Sequence, residues 1–135
     1  MPIVDINWWI VVVAAAVNMV VGAIWYSSGV FGNAWSKLVG RSLKDMQGQG
    51  GGGYLVSAAV ALIQAIILIH FVRFSGATTA WEGFQVGFWL WLGFVGITSA
   101  VNTIYAGRPW KLWKIDSGYF LAVLLINSMI IALWT

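Results

Sequence analysis

The chain has no cysteine, a single histidine, two prolines and very few charges. Each shortage excludes something. Without cysteine there is no disulfide, no thiolate zinc site and no iron–sulfur cluster. One histidine, His70, rules out a bis-histidine haem within one protomer and supplies poorly any acyl-transfer pairing of nucleophile and base. Only 8% of the 135 residues are charged, where a soluble domain carries roughly 25%. The net charge of +3 is too small and too scattered to track a nucleic-acid backbone, so no nucleic-acid partner is expected. The opening Met1-Pro-Ile-Val-Asp5 lacks the positive charge of a signal peptide, so no cleaved leader is expected. No cofactor, no metal and no enzymatic activity are expected, because no acid, base or metal ligand lies deep inside the apolar segments.

What the chain has is apolar length. Hydrophobic residues make up 61% of it, with ten tryptophans. Four apolar runs cover residues 8–26, 54–74, 84–105 and 115–134. At about 1.5 Å per residue, runs of about 20 residues match a hydrocarbon core of about 30 Å. They are twice the length of a barrel strand, and too few for a barrel. The expected fold is therefore all-α: one integral membrane domain over residues 1–135, a four-helix bundle in four spans.

Direction follows from lysine and arginine. Lys37, Arg41 and Lys44 lie between spans one and two, and Arg108, Lys111 and Lys114 between spans three and four. Basic loops stay in the cytoplasm. Loops 27–53 and 106–114 are thus expected inside, and both termini outside. Trp8, Trp9 and Trp134 fit one aromatic belt; Trp25, Tyr26, Tyr54, Tyr105, Trp110 and Trp113 fit the other. Trp89 and Trp91 sit well inside span three and are expected to meet a neighbour or a lipid tail.

Residues 29–46 read as a short interfacial amphipathic helix. Phe31, Trp35 and Leu38 recur at helical spacing, with Lys37, Arg41 and Lys44 at other positions. Those cations, with Arg108, Lys111 and Lys114, would face lipid phosphates. The run at 48–53, with five glycines, reads as a loose tether that holds no fixed helix.

Asn18, Gln64, Thr98, Asn102 and Asn127 are the polar side chains deep in the spans. Facing lipid they would lack partners, so they are expected to point inward along a polar seam. Small residues trace the same faces: Ala14, Asn18 and Gly22 in span one, Ser57, Ala61 and Ala65 in span two, Gly83 and Gly87 in span three, Gly118 and Ala122 in span four. The seam reads either as helix-to-helix bonding or as a pocket for a polar ligand. At the outer face Asp5, His70, Arg73 and Glu82 are candidates for an ion pair, with a metal site poorly supported by spacing. Ala16-Val17-Asn18 recurs as Ala100-Val101-Asn102, a candidate parallel duplication of helix pairs.

Several segments resemble a bacterial family of four-span membrane proteins catalogued as domain of unknown function seventeen sixty-one. They are Gly22-Ala-Ile-Trp-Tyr-Ser27, Phe31-Gly-Asn-Ala-Trp35, Trp91-Leu-Gly-Phe94, Asn102 with Gly107-Arg-Pro109 and Lys111-Leu112, and Ile115-Asp-Ser-Gly-Tyr119. The glycine run departs from the family pattern, as does Asp116, where asparagine is more usual. The resemblance implies four spans in a bacterial cytoplasmic (inner) membrane and supplies no activity. Small bundles of this kind work as homo-oligomers or as subunits of a membrane complex. Two readings follow: a homo-oligomeric binding or transport-type protein built on the polar seam, or an accessory subunit that docks through its tryptophan-rich faces.

Overall fold

In the computed structural model, residues 4–41 and 51–134 are described. Five helices account for nearly all of them, and among the described residues there is no strand. Helix α1, Trp8–Trp25, starts where the Asn7 side chain accepts a hydrogen bond from the Trp9 amide. It ends at a turn that returns the Phe31 amide to the Trp25 carbonyl at 3.1 Å. Helix α2, Gly32–Val39, follows. Helix α3, Gly51–Ser75, stops at Gly76, whose φ of +75° suits a residue without a side chain. Helix α4, Ala80–Ala106, opens with a capping box: Thr79 accepts from the Glu82 amide, and the Glu82 carboxylate accepts from Thr79. At mid-length it widens into a π turn, Trp91–Gly96. Gly107, φ +66°, ends it, and Pro109 sets up helix α5, Trp110–Leu133.

Helices α1, α3, α4 and α5 are each long and apolar enough to cross a membrane. They match the four expected runs, with two corrections. Gly51, Gly52 and Gly53 do not belong to a loose tether but form the first turn of α3. Glycine costs a helix about 1 kcal/mol per residue, and the apolar residues after Gly53 carry the helix back through them. Residues 48–50 and Lys44 lie outside the described residues. The second basic loop is also shorter than expected. Residues 110–114 are already helical, because burying Leu112 and Ile115 in the bundle outweighs leaving them in a turn.

The helices do not contribute equally. Helix α5 touches all four others, and its most extensive partner is the first half of α4. Gly83 and Gly87 let those two backbones meet. A Cβ on Gly83 would stand 2.6 Å from the Ser128 carbonyl oxygen, and one on Gly87 would stand 2.6 Å from that of Leu124. Helix α1 packs on α3 and α5. Ile10, Val11, Ala14, Ala65, Leu68, Ile69, Val72, Ile131 and Ala132 form an apolar core there, toward the end that carries the termini. The outside is as apolar as the inside: Val12, Val20, Ile63, Ile67, Phe94, Ile97 and Val101 are all exposed. Such a surface suits lipid rather than water as solvent.

Candidate functional site

Away from that core, toward the end that carries α2 and the 107–109 turn, the interior changes character. It is built from tyrosine, tryptophan and amides. Asn18, 7% exposed, lies on the face of α1 shared with Ala14 and Gly22. Its Nδ2 donates to Gln64 Oε1 of α3 at 3.0 Å. Its Oδ1 accepts from the Tyr119 hydroxyl of α5 at 2.5 Å, and the same hydroxyl lies 3.1 Å from the Asn18 carbonyl oxygen. Gly22 makes room for that tyrosine: a Cβ there would stand 3.2 Å from its hydroxyl.

The Tyr119 ring meets the Tyr26 ring edge-on at 5.5 Å. The Tyr26 hydroxyl donates to Asp116 Oδ1 at 2.7 Å. Asp116 and Tyr119, three residues apart, share one face of α5. Trp25 lies over Gly118 and donates its indole N–H to the Ile115 carbonyl at 2.9 Å. Trp35 of α2 stands edge-on to Tyr26 at 5.6 Å, so α2 closes this end of the bundle. The indole N–H of Trp35 is buried and has no partner. The result is a polar relay, Gln64–Asn18–Tyr119 and Tyr26–Asp116, whose two hydrogen-bonded halves touch through their rings.

Of the five residues assigned to the seam, the structure brings together Asn18 and Gln64. Asn127 lies deeper, 4% exposed, donating Nδ2 to the Ala14 carbonyl at 3.1 Å with its Oδ1 unpartnered. Thr98 and Asn102 do not join them. Both are exposed on the flank of α4, because the second half of that helix packs mainly against α5 and the π turn. The expectation that all five point inward is corrected accordingly.

Trp91 turns inward, donating to the Ser117 carbonyl at 2.7 Å, while Trp89 faces out. The Trp113 indole bonds the Gly96 carbonyl at 3.2 Å and Ser99 Oγ at 3.0 Å, and Ser99 bonds the Val95 carbonyl at 2.6 Å. These bonds occupy carbonyls at the π turn, where the regular ladder is broken.

The cations Lys37, Arg41, Arg108, Lys111 and Lys114 are exposed at the relay end of the bundle. At the opposite end, Asp5, His70, Arg73 and Glu82 form no ion pair with one another. Arg73 donates to the Trp134 carbonyl at 3.4 Å, His70 Nδ1 lies 2.7 Å from the Ile66 carbonyl, and Glu82 Oε2 accepts from the Thr78 and Thr79 amides at 2.7 and 3.2 Å. The capping box satisfies Glu82 locally, which is why Arg73 is left to a carbonyl. Among the described residues no three His, Cys, Asp or Glu side chains gather as a metal would need.

Sequence reasoning missed Tyr26, Asp116 and Tyr119. The sequence places Tyr26 in the aromatic belt and marks Asp116 only as a departure from the family pattern. The signal available was positional. Gly22 and Gly118 leave space on facing helices, and a large side chain must fill it.

Chemically the relay offers amide and hydroxyl groups and one carboxylate, and neither a nucleophile–base pair nor a metal set. It can hold a polar group by hydrogen bonds. A bundle of four long apolar helices with an apolar exterior and a polar relay inside it defines a multi-pass helical architecture. The chain belongs to the family of proteins of unknown function DUF1761, whose model matches residues 9–132. No curated protein and no solved structure matches it. Gly22, Trp25, Tyr26, Trp35, Asp116 and Tyr119, all within the segments that resemble the family, meet in this one site.

Proposed function

We propose that the chain is a multi-pass protein of the bacterial inner membrane that works as a homo-oligomer, binding or passing a polar solute at the relay. Lys37, Arg41, Arg108, Lys111 and Lys114 at the relay end, with Lys44 in the same basic stretch of sequence, support a cytoplasmic relay end and outward termini. Helix α2 then lies in the inner headgroup layer, with Lys37 and Arg41 toward lipid phosphates.

The observation that carries this reading is Gln64. Its Oε1 is tied to the buried Asn18, yet the residue is exposed and its Nε2 has no partner among the described residues. Thr98 and Asn102 of α4 are also exposed without a side-chain partner. In hydrocarbon an unmet amide costs several kcal/mol. A second protomer supplies the missing partners, and the site at the open end of the relay is completed between copies.

Native mass spectrometry of the protein released in mild detergent tests this. The expected result is a defined homo-oligomer that Gln64→Leu or Asn102→Leu reduces to monomer. A wild-type monomer would refute it. A fixed complex with a different protein would favour the second reading, an accessory subunit. That reading is supported by Trp89, a large side chain turned outward next to the inward Trp91. It predicts that Trp89→Ala releases the partner.

A further inference from the structure

Near the termini, at the end opposite the relay, α3 and α4 leave the 76–79 turn and diverge. Helix α3 packs on the first half of α4. Between them opens a groove of about 510 Å³. Phe71, Val86, Leu90 and Phe94 line its length, and Glu82 and Gln85 line it beside the 76–79 turn. On α4 the lining residues recur from Glu82 to Phe94 on one helical face. At about 1.5 Å per residue that stripe runs about 18 Å, close to the depth of one leaflet in a core of about 30 Å.

We propose that this groove is a lipid site that holds one acyl chain of a phospholipid whose headgroup carries a primary ammonium. Three observations select that occupant. Polarity is graded along α4: Glu82 and Gln85 come first, beside the 76–79 turn, and Val86, Leu90 and Phe94 follow, as an amphiphile lying head toward that turn requires. Among the described residues no cation pairs with the Glu82 carboxylate. Its Oε2 accepts from backbone amides, and Arg73, the basic residue at this end, bonds the Trp134 carbonyl. A negative charge at a bilayer surface with one oxygen free recruits a positive head. Gln85, exposed and without a side-chain hydrogen bond among the described residues, offers donors to the ester or phosphate oxygens beside that ammonium. A second copy of the chain fits less well, since a two-fold contact across this groove sets one Glu82 against another.

The test is native mass spectrometry of the protein reconstituted in nanodiscs of equal phosphatidylethanolamine and phosphatidylglycerol, counting retained lipid per protomer. The wild type should retain phosphatidylethanolamine several-fold over phosphatidylglycerol. Glu82→Gln keeps the capping box, because the glutamine oxygen still accepts the backbone amides. It removes the charge, so the preference should fall to parity. Val86→Trp fills the groove and should abolish retention of both lipids; a thermal unfolding curve checks that it folds, and Glu82→Gln decides the matter if it does not. Equal retention of the two lipids by the wild type, or an unchanged preference in Glu82→Gln, overturns the proposal. So does disulfide cross-linking between protomers through Val86→Cys. Because lipid is counted per protomer, the result stands apart from whether the chain is a homo-oligomer.

Discussion

The junction of α4 and α5 gives the sharpest test of the packing. Gly83 and Gly87 meet backbone first: a Cβ on either would lie 2.6 Å from a carbonyl oxygen of α5, where ordinary contact begins at 3.4 Å. A carbonyl inside a helix cannot turn aside, so α4 must retreat by about 0.8 Å. A gap of about 0.5–1 Å forfeits roughly a quarter to a half of each dispersion contact along the seam. Overpacking of this kind costs about 1–3 kcal/mol, against about 1 kcal/mol that alanine returns in helix propensity. Gly83→Ala and Gly87→Ala should each lose up to about 2 kcal/mol of stability. The double variant should lose less than the two together, since α4 withdraws only once. Gly93→Ala is the control. Nothing lies within 4 Å of a Cβ there, so it should be neutral or gain up to about 1 kcal/mol. The assay is reversible unfolding in mixed detergent and dodecyl sulfate micelles, followed by circular dichroism. If Gly83→Ala and Gly93→Ala shift the midpoint equally, the close approach of α4 and α5 is wrong.

Two further outcomes concern the interior. Asn18→Leu removes the bonds to Gln64 and Tyr119 and should cost about 1–2 kcal/mol, and a double-mutant cycle with Tyr119→Phe should return a coupling of about 0.6–1.7 kcal/mol; zero coupling in the same unfolding assay would show that the two side chains do not bond. Trp91→Phe loses the bond to Ser117 and should cost about 1 kcal/mol, whereas Trp89→Phe should leave the unfolding midpoint unmoved.

Four long helices were legible because hydrocarbon length and apolar run length are the same physical quantity. So was a close approach on one face of α4, since Gly83 and Gly87 fall four residues apart; which helix meets them was not. The relay was legible only in part. Asn18 and Gln64 announce themselves as amides in apolar runs, but Tyr26 and Tyr119 carry both a hydrophobic body and a polar tip, and either belt or interior satisfies them. Composition cannot choose; the space left by Gly22 does. Thr98 and Asn102 were assigned inward on the argument that amides avoid lipid. That argument fixes their need for a partner and says nothing about which chain provides it. The π turn left no trace that a 3.6-residue period could reveal.

Helix α5 alone touches every other helix, and it is the last of the four long ones to be made. Until it arrives, α1 and α3 stand as a pair, and α4 is attached to that pair mainly where α3 meets its first half. Asn18 can reach Gln64 at this stage but has no tyrosine, and Gly83 and Gly87 face nothing. The bundle is therefore closed by its final span in one step. A chain stalled before residue 110 would be a hairpin with a loose third helix, an unfinished product that a membrane quality-control protease could recognise by its unmet amide.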